Sequence, residues 1–205
     1  MSSPEPLQAD TYYHIFNRGN DGENLFREPE NYRYFLKLYL NHIEPIAATF
    51  AYCLLPNHFH LLIHTRKEEE IERAQQLKVI KNSKLLTLSQ SFANLFSAYS
   101  MAINKRYART GSLFEHPFHR IRINNEQYLT RLVVYIHRNP TKHRFTPDFR
   151  NWTYSSYQAI LSDKPTHIKR DHVTAWFGDQ PNFKRLHEQF VEDNVVKHII
   201  LEDFD

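Results

Sequence analysis

The stretch Leu54-Leu55-Pro56-Asn57-His58-Phe59-His60-Leu61-Leu62-Ile63-His64 constrains the fold more than any other part of the chain. An apolar run of this length, entered through a Pro-Asn turn, reads as a buried strand. Side chains on a strand alternate between faces, so His58 and His60 share one face while Phe59, Leu61 and Ile63 share the other. A sheet built on this strand buries an apolar face against helices and projects two imidazoles from the opposite face. That spacing lets both rings reach one divalent cation. Histidine pairs on strands are more often simply hydrogen-bonded, however, and with 13 histidines in the chain a chance pair is unremarkable, so the pair needs support from elsewhere.

The flanking segments supply a sheet and its helices. Thr11 to Phe16 is a short aromatic strand, ended by the loop Asn17-Arg18-Gly19-Asn20-Asp21-Gly22. Pro29 suits the first turn of a helix, and Tyr32, Phe35, Leu36, Tyr39, Leu40 and Ile43 follow at helical spacing along one face. Ile46 to Leu55 reads as the second strand, paired in a hairpin with the histidine strand. Arg66 to Lys84 is charged and weakly periodic, a solvated and partly helical excursion; a DNA-facing flap is the alternative. Thr87-Leu88-Ser89-Gln90 has capping-box spacing and opens a helix along Phe92, Leu95, Phe96, Tyr99 and Ile103, closed near Gly111. Phe114 to Ile123 alternates again as a fourth strand, with Arg120 and Arg122 on one face. Asn124 or Asn125 can cap a third helix through Leu129, Leu132, Val133 and Ile136, predicted to end near Asn139 because Pro140 disfavours helical backbone before it.

Strand, helix, strand, strand, helix, strand is the ferredoxin-like order: an α+β fold with an antiparallel sheet and two helices on one face. The third helix is an addition. Residues 151–205 look less regular, with Trp152, Tyr154 and Tyr157 able to pack back as a tail and Val191 to Leu201 able to form a last helix. No repeat or low-complexity linker divides the 205 residues, so a single domain is expected, with a core over about 10–157 and a tail over 158–205. No apolar run is long enough to span a bilayer, and Met1 to Asp10 lacks the apolar core of a signal peptide. The lone Cys53 cannot form an internal disulfide, which fits a reducing cytosol. A net charge of +3 does not by itself indicate nucleic acid, but 15 Phe and 12 Tyr, many beside Arg or Lys, suit single strands when not used in the core.

Support for the histidine pair comes from the third helix. Arg131, Tyr135, Arg138 and Asn139 fall at i, i+4, i+7 and i+8 and form one stripe. Flanking arginines favour phenolate and attract phosphate. If the stripe faces the histidines, the site holds two imidazoles, an amide oxygen and a phenol. That mixed set suits Mg²⁺ or Mn²⁺, with water and phosphate oxygens completing the shell; zinc fits less well without a cysteine pair or a further acid. With 12 tyrosines in the chain, spacing alone does not single out Tyr135.

Three segments do. Tyr13-His14-Ile15-Phe16-Asn17-Arg18-Gly19-Asn20, Leu55-Pro56-Asn57-His58-Phe59-His60-Leu61-Leu62 and Tyr135-Ile136-His137-Arg138-Asn139-Pro140 occur in this order. Together they make the chain resemble the single-tyrosine HUH transposases, the insertion-sequence-200-like group, and most nearly the REP-associated tyrosine transposases, over roughly residues 10–157. The resemblance implies a ferredoxin-like nuclease that cuts and rejoins single-stranded or hairpin DNA, as a monomer or a homodimer, in the bacterial cytoplasm with the nucleoid. It implies His58 and His60 as metal ligands and Tyr135 as the nucleophile that forms a 5′-phosphotyrosine. Insertion-sequence members often place a glutamine ligand one turn after the tyrosine; here Asn139 stands there, one methylene shorter, within reach through a water. Arg120, Arg122, Arg131 and Arg138 are candidate phosphate contacts. A nucleic-acid-binding module that kept the fold without the chemistry, and a metal-dependent phosphodiesterase with no covalent intermediate, are the alternatives.

Overall fold

The computed structural model describes residues 5–78, 86–125 and 127–189. Four antiparallel strands, β1 (Tyr12–Arg18), β2 (Ala47–Leu54), β3 (His58–Thr65) and β4 (His119–Ile123), form one sheet in the order β2-β3-β1-β4. This is the ferredoxin-like sheet, with α1 (Pro29–His42) and α3 (Leu88–Arg106) packed together on one face. The excursion between β3 and α3 is helical in its first part, α2 (Glu68–Lys78). The expected helix over Val191 to Leu201 lies outside the described residues. Among the described residues no helix is long and apolar enough to cross a membrane.

The two-residue side-chain period of β3 organises both cores. Phe59, Leu61 and Ile63 meet Ile15 of β1 and the apolar stripes of α1 and α3, including Phe35, Tyr39, Phe92, Leu95, Phe96 and Tyr99. Pro29 occupies the first turn of α1, where its missing N–H costs nothing, and Thr87 and Gln90 form the reciprocal capping box that starts α3. On the other face, Leu62 with Ala51 and Cys53 of β2 packs under α4 (Gln127–Lys142), whose Leu132, Val133 and Ile136 lie in the same cluster.

Three sequence expectations need correction. The fourth strand is shorter than Phe114 to Ile123: Phe114 makes only an isolated bridge to Gly19, and Pro117, which has no N–H to donate, precedes the five-residue ladder. The third helix does not stop near Asn139 but runs through Pro140 to Lys142, with His143 N–H donating to the Asn139 carbonyl at 3.0 Å. Packing of Leu132, Val133 and Ile136 overrides the local bias that Pro140 imposes.

The third correction concerns residues 152–189, which are regular: α5 (Tyr157–Leu161), α6 (Arg170–Phe177) and α7 (Gln180–Gln189) bury Tyr157, Ile160, Val173, Phe177 and Phe183 in one cluster with the apolar face of α4. The same region caps the β2 edge, where Leu54 N–H donates to Tyr154 O at 2.9 Å and Lys169 N–H to Thr49 O at 2.9 Å. A buried polar chain pins α4 from behind. His187 Nδ1 donates to Phe183 O at 2.7 Å, so its Nε2 accepts from His137 Nδ1 at 2.8 Å. His137 Nε2 then accepts from the Ser156 hydroxyl at 2.7 Å, and Ser156 Oγ accepts from Tyr52 N–H at 2.9 Å.

Candidate active site

The face of the sheet that carries His58 and His60 is also the face α4 covers, so the structure brings the histidines and Tyr135 together across 75 or more residues of sequence. The rings of His60 and Tyr135 are 5.5 Å apart in an edge-on arrangement, and those of His58 and His60 are 5.3 Å apart. His58, His60, Tyr135 and Asn139 are all buried, Tyr135 to 1% exposure.

Neighbouring groups orient the lone pairs. His58 Nδ1 donates to Asn57 Oδ1 at 2.8 Å, which leaves Nε2 as its lone-pair nitrogen. His60 Nδ1 lies 3.0 Å from His14 Nε2; with His60 donating, its Nε2 lone pair is presented, and that atom has no hydrogen-bond partner among the described residues. Asn139 Nδ2 donates to Tyr135 O at 3.1 Å, so Oδ1 points away from the helix, also without a hydrogen-bond partner among the described residues. Donors held by a second layer of contacts in this way are what a metal centre requires. Burial lowers the His58 pKa to about 3, helped by His143, Arg18 and Lys142 and opposed by Asn139. Burial, then His14, His58, His143 and Lys142, holds His60 well below the ordinary imidazole value. Both rings are therefore neutral at physiological pH, the form that binds a cation. Among the described residues no group of three or more His, Cys, Asp or Glu side chains is placed to hold a metal ion. The set that fits one is two imidazoles and the Asn139 amide oxygen, an uncharged site that leaves the charge to be balanced by phosphate.

The arginines divide. The stripe does not keep Arg138 beside Tyr135: its Nη1 donates to His187 O at 2.6 Å and its guanidinium lies 5.3 Å from the Phe149 ring centre, on the α7 side. Arg131 is exposed one turn before the tyrosine. Arg120 and Arg122 pair with Ile15 and Tyr13 across the β1–β4 ladder and so occupy the α1–α3 face, opposite the histidines. The cation that does sit over the Tyr135 ring is Lys142, with Nζ 5.1 Å from its centre. His143 packs edge-on to His58 at 4.6 Å. Sequence reasoning missed both because it ended the helix before Pro140; Lys142, at i+7 from Tyr135, continues the stripe. His14 lies in the first of the three motifs, and β1–β3 pairing makes it a diagonal neighbour of His60.

Comparison with known proteins points the same way. No family model matches the sequence. A protein of Haemophilus influenzae that carries the name REP-associated tyrosine transposase is 25% identical over 109 residues, which span 53% of this chain and 58% of that relative, so the match covers little more than half of either. A solved REP-associated tyrosine transposase bound to a REP hairpin superposes with a TM-score of 0.58 at 15% identity, covering 80% of this chain and 88% of that one. The chain resembles the REP-associated tyrosine transposases and has their fold. The first of the three matching motifs lies on and just after β1, the second on and just before β3 and the third on α4, and α4, laid across the histidine face, brings Tyr135 beside His60.

Proposed function

We propose that the protein is a single-strand DNA endonuclease and strand transferase that binds hairpin DNA and cuts it through Tyr135 with the help of Mg²⁺ or Mn²⁺. The observation that carries this reading is the Tyr135 ring packed edge-on against His60 and beneath Lys142, with His60 Nε2 lacking a hydrogen-bond partner among the described residues and Asn139 beside His58. The relatives named for REP-associated transposition, one of them bound to a REP hairpin, supply the substrate class.

His58, His60 and Asn139 would hold the cation, which when bound withdraws charge from the scissile phosphate. Tyr135 Oη attacks phosphorus in line; the P–O3′ bond breaks as the P–Oη bond forms. The phenolic proton ends on the departing 3′-oxygen, and one phosphodiester is replaced by another, so no ATP is consumed. Lys142 favours the phenolate and the approach of phosphate. His14 and Asn57, by engaging Nδ1 of His60 and His58, would leave each Nε2 to present its lone pair to the cation. A 3′-hydroxyl attacking the phosphotyrosine reverses the step and joins strands.

The 1% exposure of Tyr135 favours a second reading, a hairpin-binding protein that keeps the fold without cutting. Denaturing gels of the protein incubated with labelled hairpins and Mn²⁺ separate the two. The endonuclease reading expects a covalent adduct that Tyr135→Phe abolishes, and peptide mapping should place the DNA on Tyr135. Hairpin binding with no adduct under any divalent cation would leave the second reading.

A further inference from the structure

A partly enclosed hollow of about 270 Å³ lies between α1 and the β2 edge of the sheet, and strand cleavage makes no use of it. Its origin is in the sequence of β2. Ala47, Thr49 and Tyr52 stand opposite Thr65, Ile63 and Leu61 of β3, so they share the α1–α3 face of the sheet, away from Tyr135. Ala47 and Thr49 are small, and Leu36, Tyr39 and Leu40 of α1 wall the gap they leave. Residues 165–169 close the third side. Ile168 forms a parallel bridge with Thr49, and Lys169 N–H donates to Thr49 O at 2.9 Å. His167 Nδ1 donates to the Glu44 carboxylate at 2.7 Å, which ties this segment to the chain just past α1.

Small-molecule sites are concave, mostly apolar, and carry a few placed polar groups. Here the polar groups are of one kind. The Tyr39 and Thr49 hydroxyls bond to each other at 2.7 Å, and whichever accepts keeps its own proton to donate. Arg66 Nε donates to Glu44 O at 3.0 Å, which anchors the guanidinium, and its Nη atoms make no ion pair with a described carboxylate. Lys169 adds a second cation to the lining. The lining carboxylate among the described residues, Glu44, is already engaged by His167. The donors and the two cations outweigh that single acid, so the hollow favours an apolar body that carries a negative group. A cavity of about 150 Å³ holds benzene, so this one has room for one aromatic ring or a short alkyl chain together with its acid. We propose that the hollow binds a small monocarboxylate, its apolar body between α1 and β2 and its carboxylate on Arg66. This site involves neither Tyr135 nor the nuclease reading.

Calorimetric titration of the full chain with hexanoate, octanoate, indole-3-acetate and uncharged 1-hexanol tests this. Octanoate should bind once per chain and about tenfold tighter than hexanoate, since each buried methylene is worth about fourfold. Hexanoate should bind about fivefold or more tighter than 1-hexanol, the advantage of a charge-assisted hydrogen bond at a partly exposed arginine. Arg66→Gln should erase that preference while leaving 1-hexanol binding unchanged. Leu40→Trp should fill the hollow from α1 and abolish binding of all four probes, with a circular dichroism melt reporting whether it folds. Ile168→Trp fills it from the opposite wall and serves if Leu40→Trp does not fold. Either order of affinity between octanoate and indole-3-acetate supports the site, and the order identifies the body as aliphatic or aromatic. Equal affinity for hexanoate and 1-hexanol, or an acid preference that survives Arg66→Gln, overturns the carboxylate assignment. Full octanoate affinity in a folded Leu40→Trp or Ile168→Trp chain, or no saturable binding of any probe to the wild type, overturns the site itself.

Discussion

Acid should unfold this protein through the histidines buried around α4. Burial lowers the His187 pKa to about 4 and the His58 pKa to about 3, whereas an unfolded histidine titrates near 6.5. The folded values lie below the unfolded ones, so the unfolded chain binds the extra protons. The stability tied to these groups is complete above about pH 6.5 and is lost as pH falls toward the folded values. A pKa unit is worth about 1.4 kcal/mol, so between about pH 7.5 and 5 each ring removes roughly 2 kcal/mol and the two together about 4 kcal/mol. His60 and His137 are shifted the same way, chiefly by burial, and steepen the loss. Against a typical stability of about 5–15 kcal/mol this is a large fraction. Urea unfolding followed through Trp152 and Trp176, without divalent cations, measures it directly. His187→Gln keeps a donor and an acceptor but cannot titrate, so below about pH 6 its stability should fall by roughly 1.4 kcal/mol less per pH unit than the wild type. A stability that is flat from about pH 7.5 to 5, or an unchanged slope in His187→Gln, would refute the assignment of buried neutral imidazoles.

Two further outcomes follow from the site. Lys142→Met should slow adduct formation by about tenfold or more while leaving the melting temperature nearly unchanged, because its charge faces the Tyr135 ring from an exposed position; wild-type rates in this variant would remove Lys142 from the chemistry. His60→Ala should abolish Mn²⁺ binding, read by calorimetry and by the thermal shift that Mn²⁺ gives the wild type, and Asn139→Ala should weaken it; binding retained in His60→Ala would place the cation elsewhere.

The ferredoxin-like core was legible because each of its elements satisfies a local rule and the tertiary structure agrees. Strand β3 alternates without interruption, α1 carries its apolar stripe at helical spacing, and Thr87 and Gln90 mark the start of α3. The C-terminal helices were not legible for the opposite reason. α5, α6 and α7 are short, and their burial comes from the cluster they share with α4, not from a long stripe of their own: Val173 and Phe177 of α6 and Phe183 and the buried His187 of α7 lie among charged residues that hide the pattern. A buried histidine relay has no sequence period, so the Ser156–His137–His187 chain could only be found in three dimensions.

The site was half legible, and Pro140 explains which half. His58, His60, Tyr135 and Asn139 were reached from strand alternation, helical spacing and motif resemblance, and the fold places all four on one side of the sheet. The charge around them was misread because a residue before proline usually leaves the helix. Here the apolar face of α4 is seated in a core with residues from β2, β3 and the C-terminal helices, and that packing carries the helix one more turn despite the N–H that Pro140 lacks. The extra turn swings Lys142 over the phenol and His143 against His58. Arg138, the cation that spacing had nominated, is drawn the other way by His187 O and Phe149. The C-terminal helices thus shape the site from behind: they pack against α4 and engage the arginine on its back, while a lysine faces the Tyr135 ring.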